Sequence, residues 1–565
     1  MDFDDLLVNM YILLTNFPDI LAKYQHKFRY VMIDEYQDTN LAQYHIVKLL
    51  GALNENICVV GDDAQSIYSF RGASMENIFQ FQKDYDEVKV IKLEQNYRST
   101  STILDAANMV ISKNENQIKK ALWTDKDPGE KIRLVCSFTD NDEGKFVSDA
   151  IIEQKLRNHY SNKDFAILYR TNAQSRAFEE SLRRLGIKYK IFGGMSFYQR
   201  KEIKDYVAYL RVLVNPQDEE SLKRIINYPT RGIGTTSLNK ISIVAQEKNL
   251  TFWEVLSNAA EAGIKGATLT TMQDFVTAIK HFQGLLEKKN AYEVAYEVGK
   301  QCGIIKELYA DKTVEGLARY ENIQELLNSI KEYTETPDEE GEVVERSLGS
   351  YLQQITLLTD ADQNNGEEED VVKLMTVHAS KGLEFPLVFL VGVEENIFPS
   401  SMSMYDREDL EEERRLFYVA ITRAKEKVWV SYANNRYRFG NLISNEPSRF
   451  IDELPKTLVD TSMAEKPTFK TTFVKSSPAR EDNSIQQKKF IPKPTSQHVV
   501  ASDFVPDEPS KMKAGMKVEH QRFGFGNIIS MEGSIANQVA TINFVTMGEK
   551  KIMLNYAKLR IISTE

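Results

Sequence analysis

Apolar positions along this chain fall into two rhythms. Short unbroken runs of Val, Ile, Leu and Met alternate with longer stretches in which apolar residues recur every three or four positions. The runs predict strands buried on both faces, and the stretches predict helices. Tyr30–Ile33 is the first run and ends in the carboxylates Asp34 and Glu35. Ile57–Val60 is the second and ends in GDDAQSIYSFRG, residues 61–72; Val88–Leu93 is the third and ends in EQNYRS, residues 94–99. Strands that deliver polar clusters at their carboxyl ends, each followed by a helix, predict a parallel α/β sheet with a ligand crevice there.

The alternation continues to about Tyr189. It predicts a helix over Ile103–Ile111, a strand over Lys131–Cys136, a helix over Glu143–Arg157 and a strand over Phe165–Tyr169. From about Gly194 to Asp360 the pattern is mostly helical, broken by a turn at Tyr228–Gly234. Val371–Val377 and Leu387–Val391 then return to strand character. A helical block between two α/β segments predicts an insertion into a second α/β domain. The expected boundaries are 1–93, 94–193, 194–368 (the insertion) and 369–455. Residues 456–512, rich in Pro, Ser, Thr and Lys, have the composition of a disordered linker. Residues 513–565, with glycines punctuating β-type runs, predict a small barrel-like β domain.

Length and charge adjust this picture. At 565 residues the chain exceeds one core, so three or four domains are expected. Three scattered cysteines and seven dispersed histidines show no metal spacing, which favours a reducing cytoplasm and argues against zinc. The sequence holds no apolar segment long enough to span a bilayer, and MDFDDLLVNM lacks the start of a signal peptide. The net charge of −11 weakly opposes bulk attraction to nucleic acid, but acid concentrated at 338–340 and 367–370 leaves a local basic groove open.

Asp34 and Glu35 can divide labour, one holding a hard cation such as Mg²⁺ and the other taking a proton from water; an acidic surface turn is the plainer alternative. In the next cluster Gln65 can orient water or meet a terminal phosphate, while Tyr68 and Phe70 stack on bases and Arg71 meets a backbone phosphate. Core aromatics beside a structural arginine explain the same residues. Tyr97 beside Arg98 can stack on a base while the guanidinium grips phosphate. In VVKLMTVHASKGLEFPLVFLVG, Glu384 can accept from a ribose hydroxyl, and Thr376 and His378 can touch a nucleic-acid backbone; His378 is equally a structural residue. EEERRLFYVAITRAKEKVWV predicts a helix leading into a strand, with Arg415, Tyr418 and Thr422 on one side. Arg423 can stabilise charge in phosphoryl transfer from a second domain, while Arg414, Lys425 and Lys427 fit a solvated face.

DEYQDTN, GDDAQSIYSFRGA, EQNYRST, TVHASKGLEF and EEERRLFYVAITRAK, in this order, resemble the motifs of superfamily 1 DNA helicases of the UvrD/PcrA/Rep group, over residues 1 to about 455. The resemblance implies two RecA-like domains, ATP and Mg²⁺ as cofactors, and movement 3′ to 5′ on single-stranded DNA. It implies Asp34 on Mg²⁺, Glu35 activating water, Gln65 at the γ-phosphate, Tyr97 on adenine, Arg98 and Arg423 on the γ-phosphate and Glu384 at the ribose. Tyr68, Phe70, Arg71 and His378 resemble single-strand contacts, Phe70 standing where a Trp is often found. The Tyr228–Gly234 turn is similar to an element that touches duplex DNA. The tail looks like the Tudor-like domain of UvrD/PcrA, which contacts RNA polymerase, and so favours that branch over Rep.

The phosphate-cradling run G-x-x-x-x-G-K-[ST] is absent from these residues. The resemblance therefore implies a chain beginning partway through its first motor domain, a truncated product or a late start, with poor ATP hydrolysis alone. Two competing readings are a helicase–nuclease subunit of the RecB or AddA kind, which requires a nuclease domain where the tail stands, and a non-catalytic module that holds single-stranded DNA or RNA polymerase.

Overall fold

The computed structural model describes residues 1–118, 120–335, 346–360, 370–438 and 441–464, and in the tail 507, 512–513, 515–520, 524–532, 539–544, 548–553 and 559–563. The chain divides into two compact units, Met1–Phe469 and Lys470–Glu565. In chain order the strands of the first unit are β1 (Val31–Ile33), β2 (Ile57–Val59), β3 (Ile132–Ser137), β4 (Phe165–Tyr169), β5 (Tyr189–Ile191), β6 (Val372–Thr376), β7 (Phe385–Leu390), β8 (Ala424–Ala433), β9 (Asn435–Arg438), β10 (Asn441–Ser444) and β11 (Val459–Met463).

β3 to β8 and β11 build a seven-stranded sheet in the order β11-β3-β8-β7-β4-β6-β5, and every pairing is parallel. Its central strands β4 and β7 are apolar throughout because both faces are covered. Successive side chains of β4 point oppositely: Ala166 and Leu168 join one core with helices Ser101–Ile111 and Arg407–Ile421, and Phe165, Ile167 and Tyr169 join the other with helices Asp140–Asn158 and Ser175–Arg184. Caps fix where these helices start. Thr139 and Asp142 form a reciprocal capping box, and the Asp406 carboxylate accepts from the amides of Glu408 and Asp409.

The helical block lies between β5 and β6, with its own core running from Phe197 to Ile355. In the second unit, β12 (Lys517–His520), β13 (Gly524–Glu532), β14 (Val539–Phe544), β15 (Gly548–Met553) and β16 (Leu559–Ser563) form one antiparallel sheet around Val518, Ile528, Ile542, Phe544 and Leu559.

Three expectations are corrected. Val88–Leu93 forms no strand, and Val90, Ile91 and Leu93 are exposed. A strand buried on both faces needs sheet neighbours, and among the described residues β1 and β2 pair only with each other. For the same reason Tyr30 and Met32 of the first run and Cys58 and Val60 of the second are exposed, so each run is a strand without being a fully buried one. Finally, Val459–Met463, inside the stretch read as a linker, pairs with β3 at the sheet edge. Residues 465–506, the bulk of that stretch, lie outside the described residues.

Candidate active site

Parallel register assembles one half of the site. Phe385 at the start of β7 stands opposite Ala424 at the start of β8, which makes Glu384 a neighbour of Arg423 and Lys425. The EQNYRS segment is pinned to the same place: Ser99 Oγ donates to the Ala424 carbonyl at 2.6 Å and the Thr100 amide to that of Lys425 at 3.2 Å. Arg98 Nε then meets Glu384 Oε2 at 2.7 Å, and Lys425 Nζ meets Oε1 at 2.7 Å. Hydrogen bonds from Lys425 and Arg98 hold the Glu384 carboxyl down at about 2. These residues lie at the amino ends of β7 and β8, whereas the sequence pattern points to carboxyl ends.

Arg423 is only 1% exposed. Its guanidinium does not project as a free finger: it donates to the carbonyls of Val419 at 3.0 Å and Leu383 at 3.2 Å and to Thr422 Oγ1 at 3.2 Å. Burial, and then the Arg98 charge, lower it to about 10, against the pull of Tyr418, Asp62 and Glu35. Its neighbours therefore include the acidic loops of the first domain. Arg98 NH1 also reaches the Thr422 carbonyl at 3.4 Å.

The facing half comes from the ends of β1 and β2. Asp34 and Glu35 are both exposed, and Glu35 adopts a left-handed backbone with φ 49°. A non-glycine residue there is strained and persists where its surroundings fix it. Here the Glu35 amide donates to Asp34 Oδ1 at 2.8 Å and Gln37 Nε2 donates to Glu35 Oε2 at 2.5 Å. Gln37 Oε1 accepts the Asp62 amide at 3.0 Å, and the Gln65 carboxamide donates to Asp62 Oδ2 at 2.8 Å. Lys120 closes this set by bridging Asp62 and Asp63.

Lys381 joins the halves. It reaches Asp38, the Gln65 carbonyl at 2.7 Å and Glu35 Oε2 at 3.5 Å. Arg415 adds a second tie, its Nε donating to the Ser66 carbonyl at 2.8 Å. Lys381, Gln37, Asp62, Lys120 and Lys425 are absent from the sequence-derived site set. The one available signal was Lys381 itself, a cation beside a turn glycine in ASKG.

Tyr97 is 76% exposed, its hydroxyl held by Gln95 Oε1 at 2.8 Å, which leaves the ring face open. Tyr68, Phe70 and His378 form a ring cluster that adjoins Lys381, whose Nζ lies 5.2 Å from the Tyr68 ring centroid, with ring centroids 6.0 Å (Tyr68–Phe70), 6.2 Å (Tyr68–His378) and 5.6 Å (Phe70–His378) apart. Arg71 lies over the Tyr68 and Phe70 rings at 5.7 and 5.5 Å. Burial, then the charges of Arg170 and Arg71, push the His378 imidazole down to about 3, so it is neutral at pH 7.

Asp34 offers a hard oxygen donor whose second oxygen is uncommitted, which fits a Mg²⁺ that keeps waters and takes phosphate oxygens. Among the described residues no group of three or more His, Cys, Asp or Glu forms a closed metal site, and no helix is long and apolar enough to cross a membrane.

Acids at the ends of β1 and β2 thus face guanidiniums near the starts of β7 and β8. Family models match this chain: the UvrD/REP helicase N-terminal domain matches residues 1–86, the UvrD-like helicase C-terminal domain 91–435 and the PcrA/UvrD tudor domain 514–560. The chain is 39% identical over 565 residues to the ATP-dependent DNA helicase PcrA of Bacillus subtilis (strain 168), covering 99% of this chain and 74% of that relative. With PcrA of Staphylococcus aureus (strain NCTC 8325 / PS 47) it shares 39% over 562 residues, and with PcrA of Staphylococcus epidermidis 40% over 566, at the same coverage. The chain belongs to the UvrD/PcrA family of superfamily 1 ATP-dependent DNA helicases.

Proposed function

We propose that this chain is the greater part of a PcrA-type motor that moves 3′ to 5′ on single-stranded DNA and opens single-strand/duplex junctions. The observation that carries the reading is the convergence of Arg98, Glu384 and Arg423 at the amino ends of β7 and β8, facing the loops of Glu35 and Gln65 through Lys381.

In this reading Tyr97 stacks on the adenine and Glu384 accepts from the ribose. Asp34 is the residue that would hold Mg²⁺, which supplies charge neutralisation to the phosphates when bound. Glu35, held by Gln37, takes the proton from the attacking water, and Gln65 positions that water against the γ-phosphate. Arg98 and Arg423 neutralise charge developing on the transferred phosphoryl group. Arg423 now binds carbonyls of its own domain, so its guanidinium turns toward the phosphates as the two domains close. Tyr68, Phe70, Arg71 and neutral His378 form a stacking platform for single-stranded bases. The Tyr228–Gly234 turn of the 194–368 insertion meets the duplex, and the 513–565 domain is the docking element for RNA polymerase.

These 565 residues contain no G-x-x-x-x-G-K-[ST] run, so residues 1–565 alone hydrolyse ATP poorly. The test is DNA-stimulated phosphate release from purified 1–565, alone and fused behind a segment that carries such a run. Activity only in the fusion, abolished by Glu35→Gln, supports the motor; robust turnover by 1–565 alone contradicts it. A binding module remains the second reading, favoured if the fusion too is inert.

A further inference from the structure

Arg231 sits in the Tyr228–Gly234 turn, yet its side chain faces inward. NH1 converges on main-chain carbonyls of the turn and the helix before it: Tyr228 at 2.9 Å, Ile225 at 3.0 Å, and Ile226 and Pro229 at 3.3 Å. NH2 donates to the Tyr209 hydroxyl at 2.6 Å, and that hydroxyl in turn donates to the Tyr228 carbonyl. The guanidinium carbon lies 5.2 Å from the Phe275 ring and 5.9 Å from that of Tyr209, at the edge of a cavity of about 370 Å³. Asn227 Oδ1 completes the turn by accepting the amides of Arg231 at 2.9 Å and Ile233 at 3.0 Å.

Two consequences follow from these contacts. The fork ties one turn together at several points, which fixes the backbone at left-handed Gly232 (φ 75°) and exposed Gly234. The charge also survives. Among the described residues Arg231 makes no ion pair; carbonyl dipoles and ring faces satisfy its donors without cancelling its positive charge. A rigid exposed turn backed by a guanidinium that makes no ion pair among the described residues suits a polyanion.

We propose that Arg231 is the positioning residue for duplex recognition, holding the 228–234 turn in the shape that meets duplex phosphates and lending it positive potential from behind. This rests on the reading above that the turn meets duplex DNA.

The test is fluorescence anisotropy of the full 565-residue chain with a tailed duplex and with the tail strand alone, across a salt series. The wild type is expected to prefer the tailed duplex. Arg231→Met should lower affinity for the tailed duplex about tenfold, change single-strand affinity little, and reduce the salt slope by roughly one unit. Arg231→Lys keeps the charge and loses the fork, so it should recover part of the loss. Tyr209→Phe, a milder change should Arg231→Met fail to fold, should lower the same preference in smaller measure. If the wild type binds both ligands alike, the duplex reading fails and takes this proposal with it. If the wild type prefers the tailed duplex and folded Arg231→Met or Tyr209→Phe does so equally, the role of Arg231 alone is overturned.

Discussion

Lys381, on the loop after β6, donates to the main-chain carbonyl of Gln65, on the loop after β2, at 2.7 Å. The same ammonium binds Asp38 and lies 3.5 Å from Glu35, so one lysine of the second domain touches three residues on two loops of the first. Burial raises the Asp38 carboxyl and Lys381 opposes that shift. Asp38 Oδ1 is buried with no hydrogen-bond partner among the described residues, which leaves Lys381 as the principal compensation.

Lys381→Met should therefore destabilise the chain by about 1–3 kcal/mol, the cost of stranding a half-buried carboxylate and a carbonyl. Urea unfolding measures the loss. Amide exchange should quicken at residues 34–40 and 61–66, where the tie is made, and stay unchanged in the helical insertion.

His378 gives a pH dependence with a defined sign. Its imidazole falls to about 3 in the folded chain against an ordinary 6.5. Between those values the unfolded chain binds a proton that the folded chain does not, so stability declines as pH drops from 6.5 toward 3. Replacing the ring in His378→Phe should flatten that part of the stability-against-pH curve, and a titration followed by NMR should find His378 neutral at pH 5.

Buried Arg176 lies between the seven-stranded sheet domain and the helical insertion. It meets Glu325 at 2.6 Å, Asp140 and Glu180 at 3.3 Å and Glu332 at 4.0 Å. Burial, then Asp140, lift Glu332 to about 7, with Arg176 opposing. A carboxyl raised from its ordinary 4.5 keeps its proton longer in the folded chain, so stability falls as pH rises from 4.5 through 7. Glu332→Gln should remove that slope and raise the melting temperature at pH 8 relative to the wild type. Arg176→Met, which strands buried Asp140 and three half-buried carboxylates, should destabilise by about 3–5 kcal/mol in urea unfolding.

How much of this was legible depended on where the deciding contacts lie. Phe165–Tyr169 and Leu387–Val391 announce themselves because a strand covered on both faces is apolar at every position, the latter forming as Phe385–Leu390. Val88–Leu93 carries the same signal and forms no strand, since apolar composition states a demand for neighbours and cannot supply them. Val459–Met463 (VDTSM) is the converse: a mostly polar edge strand whose pairing comes from β3, invisible in its own residues. Among the residues proposed for the site, Asp34, Glu35, Gln65, Arg98, Glu384 and Arg423 stood out as polar residues at or near the ends of apolar runs. Lys381 and Lys120 did not, because their partners are remote in sequence and only the fold unites them. Arg423 was read as a cation presented to a phosphate from a second domain, and its enclosure by Val419, Leu383 and Thr422 depends on packing that no local pattern encodes.

Tyr97, Arg98, Glu384 and the Glu35 loop are proposed to receive a nucleoside triphosphate between them. Photolabelling the chain with a base-reactive azido-ATP, followed by peptide mapping, tests it most directly and does not require turnover. Label should fall on the peptide containing Tyr97, be displaced by excess ATP and be lost in Tyr97→Ala. Label elsewhere, or label at Tyr97 that ATP does not displace, contradicts the claim.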